Sequence, residues 1–217
     1  MARDLILEIG VEEIPSVYMN KAIADLKTIA IQKLSDARLS YKGIESFGSP
    51  RRLTLLVEQL EEQQPDAVIA NRGPKKSIAF DPEGKPSKAG LGFARSQKVD
   101  FKDLEVREVG GIEYIFVIKK EQGNASTAIL PGIMQDIIHG LSFPKSMRWG
   151  YYHTRFARPI RWLLALFGND KVALQIENIA SGCYTYGHRF LSRGPLEVKN
   201  PRDYFRVLKD NYVPGNR

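Results

Sequence analysis

A single cysteine, Cys183, and only three histidines, His139, His153 and His188, occur in the 217 residues. One thiol excludes an intrachain disulfide and a thiolate-built zinc site, and it fits a reducing compartment, so a cytoplasmic location is expected. The histidines stand in no HxxxH or HExxH spacing, which leaves metal binding unsupported. No GxSxG turn marks a serine nucleophile and no Walker lysine marks a phosphate cradle. Gly90 and Gly92 in KAGLGFARS match half of a dinucleotide fingerprint, but the third glycine and a preceding apolar strand are missing. Apolar runs such as 162–168 fall far short of the about twenty residues that cross a bilayer. The opening MARDLILEIG sets an acid inside a short apolar run, unlike a secretory signal. Internal repeats and low-complexity tracts are also absent.

These absences leave no catalytic or metal-ligating residue to assign and no cofactor site of the chain's own. Cys183 and His188 could form a thiolate–imidazole pair of the kind a hydrolase uses. A five-residue offset within one strand, however, sends the two side chains to opposite faces. Glu8, Glu12 and Glu13 have the composition of an acid–base or magnesium cluster. They are expected instead at a strand end and helix start, where acids favour the positive end of the helix dipole.

What the sequence does hold is a core and an excess of positive charge. Hydrophobic residues make up 43% of the chain and the formal net charge is +7. Acidic partners follow, nucleic acid first and an anionic membrane surface second. The charge is uneven. Residues 1–70 carry more acids than bases, whereas Arg72, Lys75, Lys76, Lys85, Lys88, Arg95, Lys98 and Lys102 face only Asp81, Glu83 and Asp100. The densest stretch is 144–162, PKSMRWGYYHTRFARPIRW, with Lys145, Arg148, Arg155, Arg158 and Arg161 and no acid. Its cations alternate with Trp149, Tyr151, Tyr152, Phe156 and Trp162, the pairing of phosphate attraction and ring stacking that suits RNA. A solvated basic face over a buried aromatic row has the same composition.

The pattern of elements predicts an α+β fold, with mixed sheets, packed helices and two lobes. A strand is expected at 4–9, and a helix after Pro15 with Met19, Ile23, Leu26, Ala30 and Leu34 on one face. Strands at 44–47 and 53–60 flank a turn carrying Arg51 and Arg52. Residues 71–92, punctuated by glycine and proline, are expected to form a long loop with one weak helix. Gly110 and Gly111 between 104–109 and 112–119 signal a tight hairpin. Ile129, Leu130, Ile133, Met134, Ile137, Ile138 and Leu141 form a helical core stripe. Strands at 160–167, 172–177 and 183–189 and a helix after Asn200 complete the series. The lobes are expected at 1–143, including a basic Gly/Pro-rich loop at 71–102, and at 144–217, a β-rich lobe. The abrupt ending in VPGNR predicts that the second lobe is truncated and that the natural polypeptide continues.

Several blocks occur together and in order: LILEIGVEEIP at 5–15, FGSPRRL at 47–53, GPKKSIAFDPEGKPSKAGLGFARSQ at 73–97, PKSMRWG at 144–150, RFARPIRWLLALFG at 155–168 and GHRF at 187–190. With them the sequence resembles the N-terminal part of bacterial glycyl-tRNA synthetase β subunits. Ser49 stands where threonine is common before the PRR triplet, and Gly90 where alanine is frequent. The resemblance implies a heterotetramer of two α and two β subunits that joins glycine to tRNA(Gly) using ATP. ATP and Mg²⁺ are then expected on the α subunit, with none bound by this stretch, which alone would be inactive. The β subunit would contribute tRNA binding and assembly, with no membrane or DNA partner. The RNA-contacting residues are then expected to be Arg51, Arg52, Lys75, Lys76, Lys88, Arg95, Lys145, Arg148, Arg155, Arg158 and Arg161, acting mainly on phosphates. Two other readings of the same residues stay open: an editing-type hydrolase of mischarged tRNA, and a scaffold whose basic surface meets an acidic partner. Arg158 and Arg161 could also pin Glu12 or Glu177 within the fold.

Overall fold

The computed structural model describes residues 2–81 and 83–214. The chain opens with strand β1 (Ala2–Val11), helix α1 (Ser16–Asp36), β2 (Gly43–Ser49) and β3 (Arg52–Glu61). It continues through β4 (Ala67–Lys75), α2 (Lys76–Ala79), α3 (Lys88–Gln97), β5 (Leu104–Val109) and β6 (Ile112–Glu121). Helix α4 (Ser126–Gly140) and β7 (Ile160–Phe167) follow. Short strands come next: β8 (Asp170–Lys171), β9 (Gln175–Ile176), β10 (Ile179–Gly182), β11 (Tyr184–Tyr186) and β12 (Pro195–Glu197). A 3₁₀ turn (Pro201–Asp203) leads into α5 (Tyr204–Asp210). The α+β class is the one the sequence predicts.

The chain divides into two compact units, Met1–Gln64 with Asn124–Arg217, and Pro65–Gly123. The division expected at 143/144 therefore falls inside the first unit. Strand β7 is the reason: it pairs antiparallel with β1, Leu7 opposite Ala165, across most of the chain length. Such long-range pairing leaves no compositional trace at the point where a contiguous lobe would end.

In the first unit the sheet runs β2-β3-β1-β7-β10-β9, with β8 on β7. Strand β1 is central and buried on both faces, so its apolar run carries little polar alternation. Leu5, Leu7, Ile9 and Val11 point to one side, against Leu26, Ala30 and Leu34 of α1 and the Leu130, Met134 and Ile137 stripe of α4. Ile6 points to the other, with Leu164 and Leu166, beneath Tyr204 and Leu208 of α5. Both helical stripes are those that periodicity picks out. Of the strand expected at 172–177 only β9 is extended, and of 183–189 only β11, paired with β12. The ending of the chain that predicted truncation falls partly on residues 215–217, outside the described residues.

The second unit is a three-stranded antiparallel sheet, β4-β6-β5, with α2 and α3. The hairpin glycines Gly110 and Gly111 take φ of 62° and 78°, the left-handed values the turn requires. The loop expected from residue 71 is instead partly strand: Val68 pairs with Lys120 and Arg72 with Phe116. Gly73 lies within that strand at a shift in register, where a β-carbon would meet the Phe93 ring at 2.6 Å. Two helices replace the single weak one. Ser87 caps α3 by accepting from Gly90 N–H at 3.1 Å.

Candidate nucleic-acid interface

The sheet that carries the candidate residues holds a polar knot buried under α5. Glu8 lies mid-strand in β1 with 0% exposure, not at the strand end expected for it. Its carboxylate accepts from Trp162 Nε1 at 2.5 Å, Thr185 Oγ1 at 2.7 Å, Arg52 Nη1 at 3.2 Å and the Tyr204 hydroxyl. Arg52 also donates from Nη2 to the Tyr186 carbonyl at 2.6 Å. Thr54 Oγ1 lies 2.8 Å from the Tyr204 oxygen; with the tyrosine proton committed to Glu8, it is the donor. Burial, and then the Glu8 charge, push the Tyr204 phenol well above its ordinary pKa. Charges this deep persist only when paired and hydrogen-bonded, and here strands β1, β3, β7 and β11 and helix α5 all contribute.

Arg52, expected among the RNA contacts, is instead buried: at 4% exposure, both of its Nη atoms donate inside the fold and the guanidinium is not presented at the surface. Arg51, one residue earlier in the β2–β3 turn, points elsewhere because side chains alternate along the strand that follows. The antiparallel register brings the end of β1 beside the starts of β3 and β7. Val11 N–H donates to the Arg51 carbonyl at 2.9 Å and Glu12 N–H to the Pro159 carbonyl at 3.2 Å. Four arginines gather there, Arg51, Arg158, Arg161 and Arg189, around a pocket of about 430 Å³ that Glu12 and Glu13 also line. Arg161 sits 3.8 Å from Glu12 and Arg189 3.5 Å from Glu13, all four side chains more than half exposed. The pairing of Arg161 with Glu12 is one the sequence left open. Glu177 is used otherwise. Partial burial, then the charges of Arg52, Arg189 and Arg161, hold Arg51 below the usual guanidinium pKa, with Glu13 offsetting part of the effect.

The basic aromatic stretch divides by depth. Phe156 and Trp162 are core residues, and Trp149 packs against the main cluster. Between them the chain makes an excursion closed at its base by Met147 and Phe156, whose backbones exchange hydrogen bonds of 2.8 and 3.2 Å. Arg148 and Arg155 are exposed on it, Lys145 is exposed just before it, and the Tyr151 ring stands fully in solvent. Glu177 anchors the far side: the Thr154 hydroxyl and backbone N–H, with His153 N–H, donate to one of its oxygens and hold its carboxyl below the usual range. The excursion is thus a tethered arm.

In the second unit Lys75, Lys76, Lys88 and Arg95 are exposed. Lys76 pairs with Glu113 at 2.9 Å. Lys88 opens α3 and Arg95 lies in its last turn. No group of three or more His, Cys, Asp and Glu among the described residues is placed to hold a metal ion. No helix among them is long and apolar enough to cross a membrane. Cys183 is half-buried against the cluster under α5, while exposed His188 spends Nδ1 accepting from Phe190 N–H.

The family model described as glycyl-tRNA synthetase beta subunit matches residues 5–216. The chain belongs to that family. A glycine–tRNA ligase beta subunit of Syntrophomonas wolfei is 62% identical over 98% of this chain and 31% of its own length. Those of Desulforamulus reducens and Listeria welshimeri are 46% and 40% identical over 98% and 100% of the chain, again with 31% of each relative covered. The chain thus spans about a third of the curated β subunits it matches. Within the family's GHRF block lies Arg189, which the site expected from sequence omits. The signal for it is weak, a lone arginine just past a three-residue strand, and only the fold brings it to Arg51.

Proposed function

We propose that this chain is the N-terminal part of the β subunit of an α2β2 glycine–tRNA ligase, working in the cytoplasm and contributing tRNA binding and subunit assembly to ATP-dependent formation of glycyl-tRNA. ATP and Mg²⁺ belong to the α subunit in this reading. The observation that carries it is the gathering of Arg51, Arg158, Arg161 and Arg189 at one end of the first unit's sheet, in a chain that matches β-subunit relatives over its whole length. Exposed Lys145, Arg148 and Arg155 add further cations, and Lys75, Lys76, Lys88 and Arg95 supply the second unit's share. Guanidinium forks suit phosphate oxygens in bidentate fashion and carry no base preference, so the surface would position tRNA rather than read its sequence. Arg52 is excluded from the contacting set.

The test is tRNA(Gly) binding by the chain across a salt series. Affinity should fall by orders of magnitude between about 50 and about 200 mM salt. Replacing Lys145, Arg148 and Arg155 together with glutamine should flatten the log–log slope by about 2 to 3. Full affinity retained at the higher salt would overturn the reading, and so would an unchanged slope in the triple variant.

A further inference from the structure

We propose that the pocket bounded by Arg51, Arg158, Arg161 and Arg189 is a discrete phosphate-binding site in which Glu12 and Glu13 are exchangeable counter-ions that an incoming phosphate group displaces. The inference deepens the tRNA-binding reading above, and rests on it only where the phosphate is taken to belong to RNA.

Charge and geometry carry it. Four guanidinium groups line one pocket against two carboxylates, an excess of cation that the fold's own acids leave uncompensated. Arg51 and Arg158 have no carboxylate within ion-pair distance among the described residues; Arg158 spends one Nη1 proton on the Ala157 carbonyl at 3.0 Å. The two ion pairs present are loose, 3.5 and 3.8 Å, whereas ion pairs elsewhere in the same unit close to 2.6 Å, as in Arg3–Asp170 and Arg202–Asp4. Long, exposed pairs are weakly held and readily exchanged. Arg51 keeps its place without an acid, with its guanidinium carbon 5.7 Å from the Trp162 ring centroid. Phosphate fits such a ring of forks better than a carboxylate does, because several oxygens can each take a two-pronged donor. At about 430 Å³ the space admits a phosphate with part of its substituent.

The same chemistry is offered by an RNA phosphate and by free phosphate or pyrophosphate, the latter released in ATP-dependent ligation. Calorimetric titration of the chain with pyrophosphate, at constant ionic strength, tests the pocket directly. Wild type should bind, Arg189→Ala should bind about tenfold more weakly, and the Glu12→Gln/Glu13→Gln double variant about fivefold more tightly. Misfolding cannot produce that gain. Equal or weaker binding by the glutamine variant, or indifference to Arg189→Ala, would overturn the proposal. A competing tRNA then separates the sources: displacement of pyrophosphate supports a site for RNA phosphate, and binding of both together supports a site for the free anion. Failure of the tRNA reading shows instead in the salt series of the Lys145, Arg148 and Arg155 variant, which leaves the pocket intact.

Discussion

The indole of Trp162 lies directly against Gly10, so closely that a β-carbon on Gly10 would fall 1.9 Å from its Cδ2 atom. The two residues face each other in the β1–β7 register, and the absence of a side chain on one is what lets the other reach Glu8.

Gly10→Ala should therefore act at the polar knot rather than on the strand. The methyl group must push the ring aside, an overpacking that costs about 1 to 3 kcal/mol. Loss of the Nε1 donor leaves Glu8 short of a partner at a further cost of about 1 to 3 kcal/mol. Urea denaturation should show a lower midpoint with an unchanged slope, and Trp162 emission should shift to the red. A midpoint within experimental error of wild type would mean that the ring relocates freely, against the arrangement described.

Gly10 also shows where the sequence can and cannot be read. The stripes of α1 and α4, the central apolar strand and the Gly110–Gly111 hairpin depend on local periodicity and turn chemistry, which neighbours in sequence record. Arg51 and Arg52 are adjacent and chemically identical, yet one lines a solvent pocket and the other is buried; only the partners across the sheet, Glu8, Thr185 and Tyr186, separate them. Arg189 reaches the cluster through β11, which is placed by Thr185 on Glu8 of β1, by Arg52 of β3 on Thr185 and Tyr186, and by the Tyr186 ring against Trp162 of β7, partners far apart in sequence. Strand β4 is illegible for a local reason, since Gly73 and Pro74 have the look of a loop, whereas they lie at a register shift within the strand and the glycine serves a close approach to Phe93.

Arg52 and Arg161 should accordingly fail in different ways. Arg52→Gln removes one partner of a buried pair and strands the Glu8 charge, a loss of about 3 to 5 kcal/mol that denaturation will register. Arg161→Gln breaks only a long, exposed contact and should leave stability within about 0.5 kcal/mol, while tRNA affinity and its salt slope fall. If Arg52→Gln unfolds at the wild-type midpoint, or Arg161→Gln lowers stability without touching tRNA affinity, the division between knot and surface is wrong.

Tyr204 gives the knot a pH signature. Its folded pKa is raised, by burial first and by Glu8 next, so above about pH 10 the unfolded chain gives up the phenol proton while the native state keeps it. The unfolded state then binds fewer protons, and stability falls as pH rises through that range toward the folded value. Below it the contribution is fully present. Tyr204→Phe should flatten the alkaline decline, at a neutral-pH cost of about 1 to 3 kcal/mol for the lost hydroxyl. Tyr151→Phe, with its ring in solvent, is the control and should leave the decline as it is.

Tyr151 itself tests whether the tethered arm does more than attract charge. Its ring is fully exposed on an arm bearing Arg148 and Arg155, and such a ring contributes nothing to the core, so Tyr151→Ala should unfold with wild-type behaviour. Stacking of an unpaired base on an aromatic ring is worth about 1 to 3 kcal/mol, which places the expected loss of tRNA affinity between about fivefold and about a hundredfold. Because stacking releases no counterions, the log–log salt slope should stay where it is, unlike that of the lysine and arginine variants. Fluorescence anisotropy at two salt concentrations separates the cases: a parallel downward shift assigns Tyr151 to stacking, whereas unchanged affinity confines the arm to electrostatics.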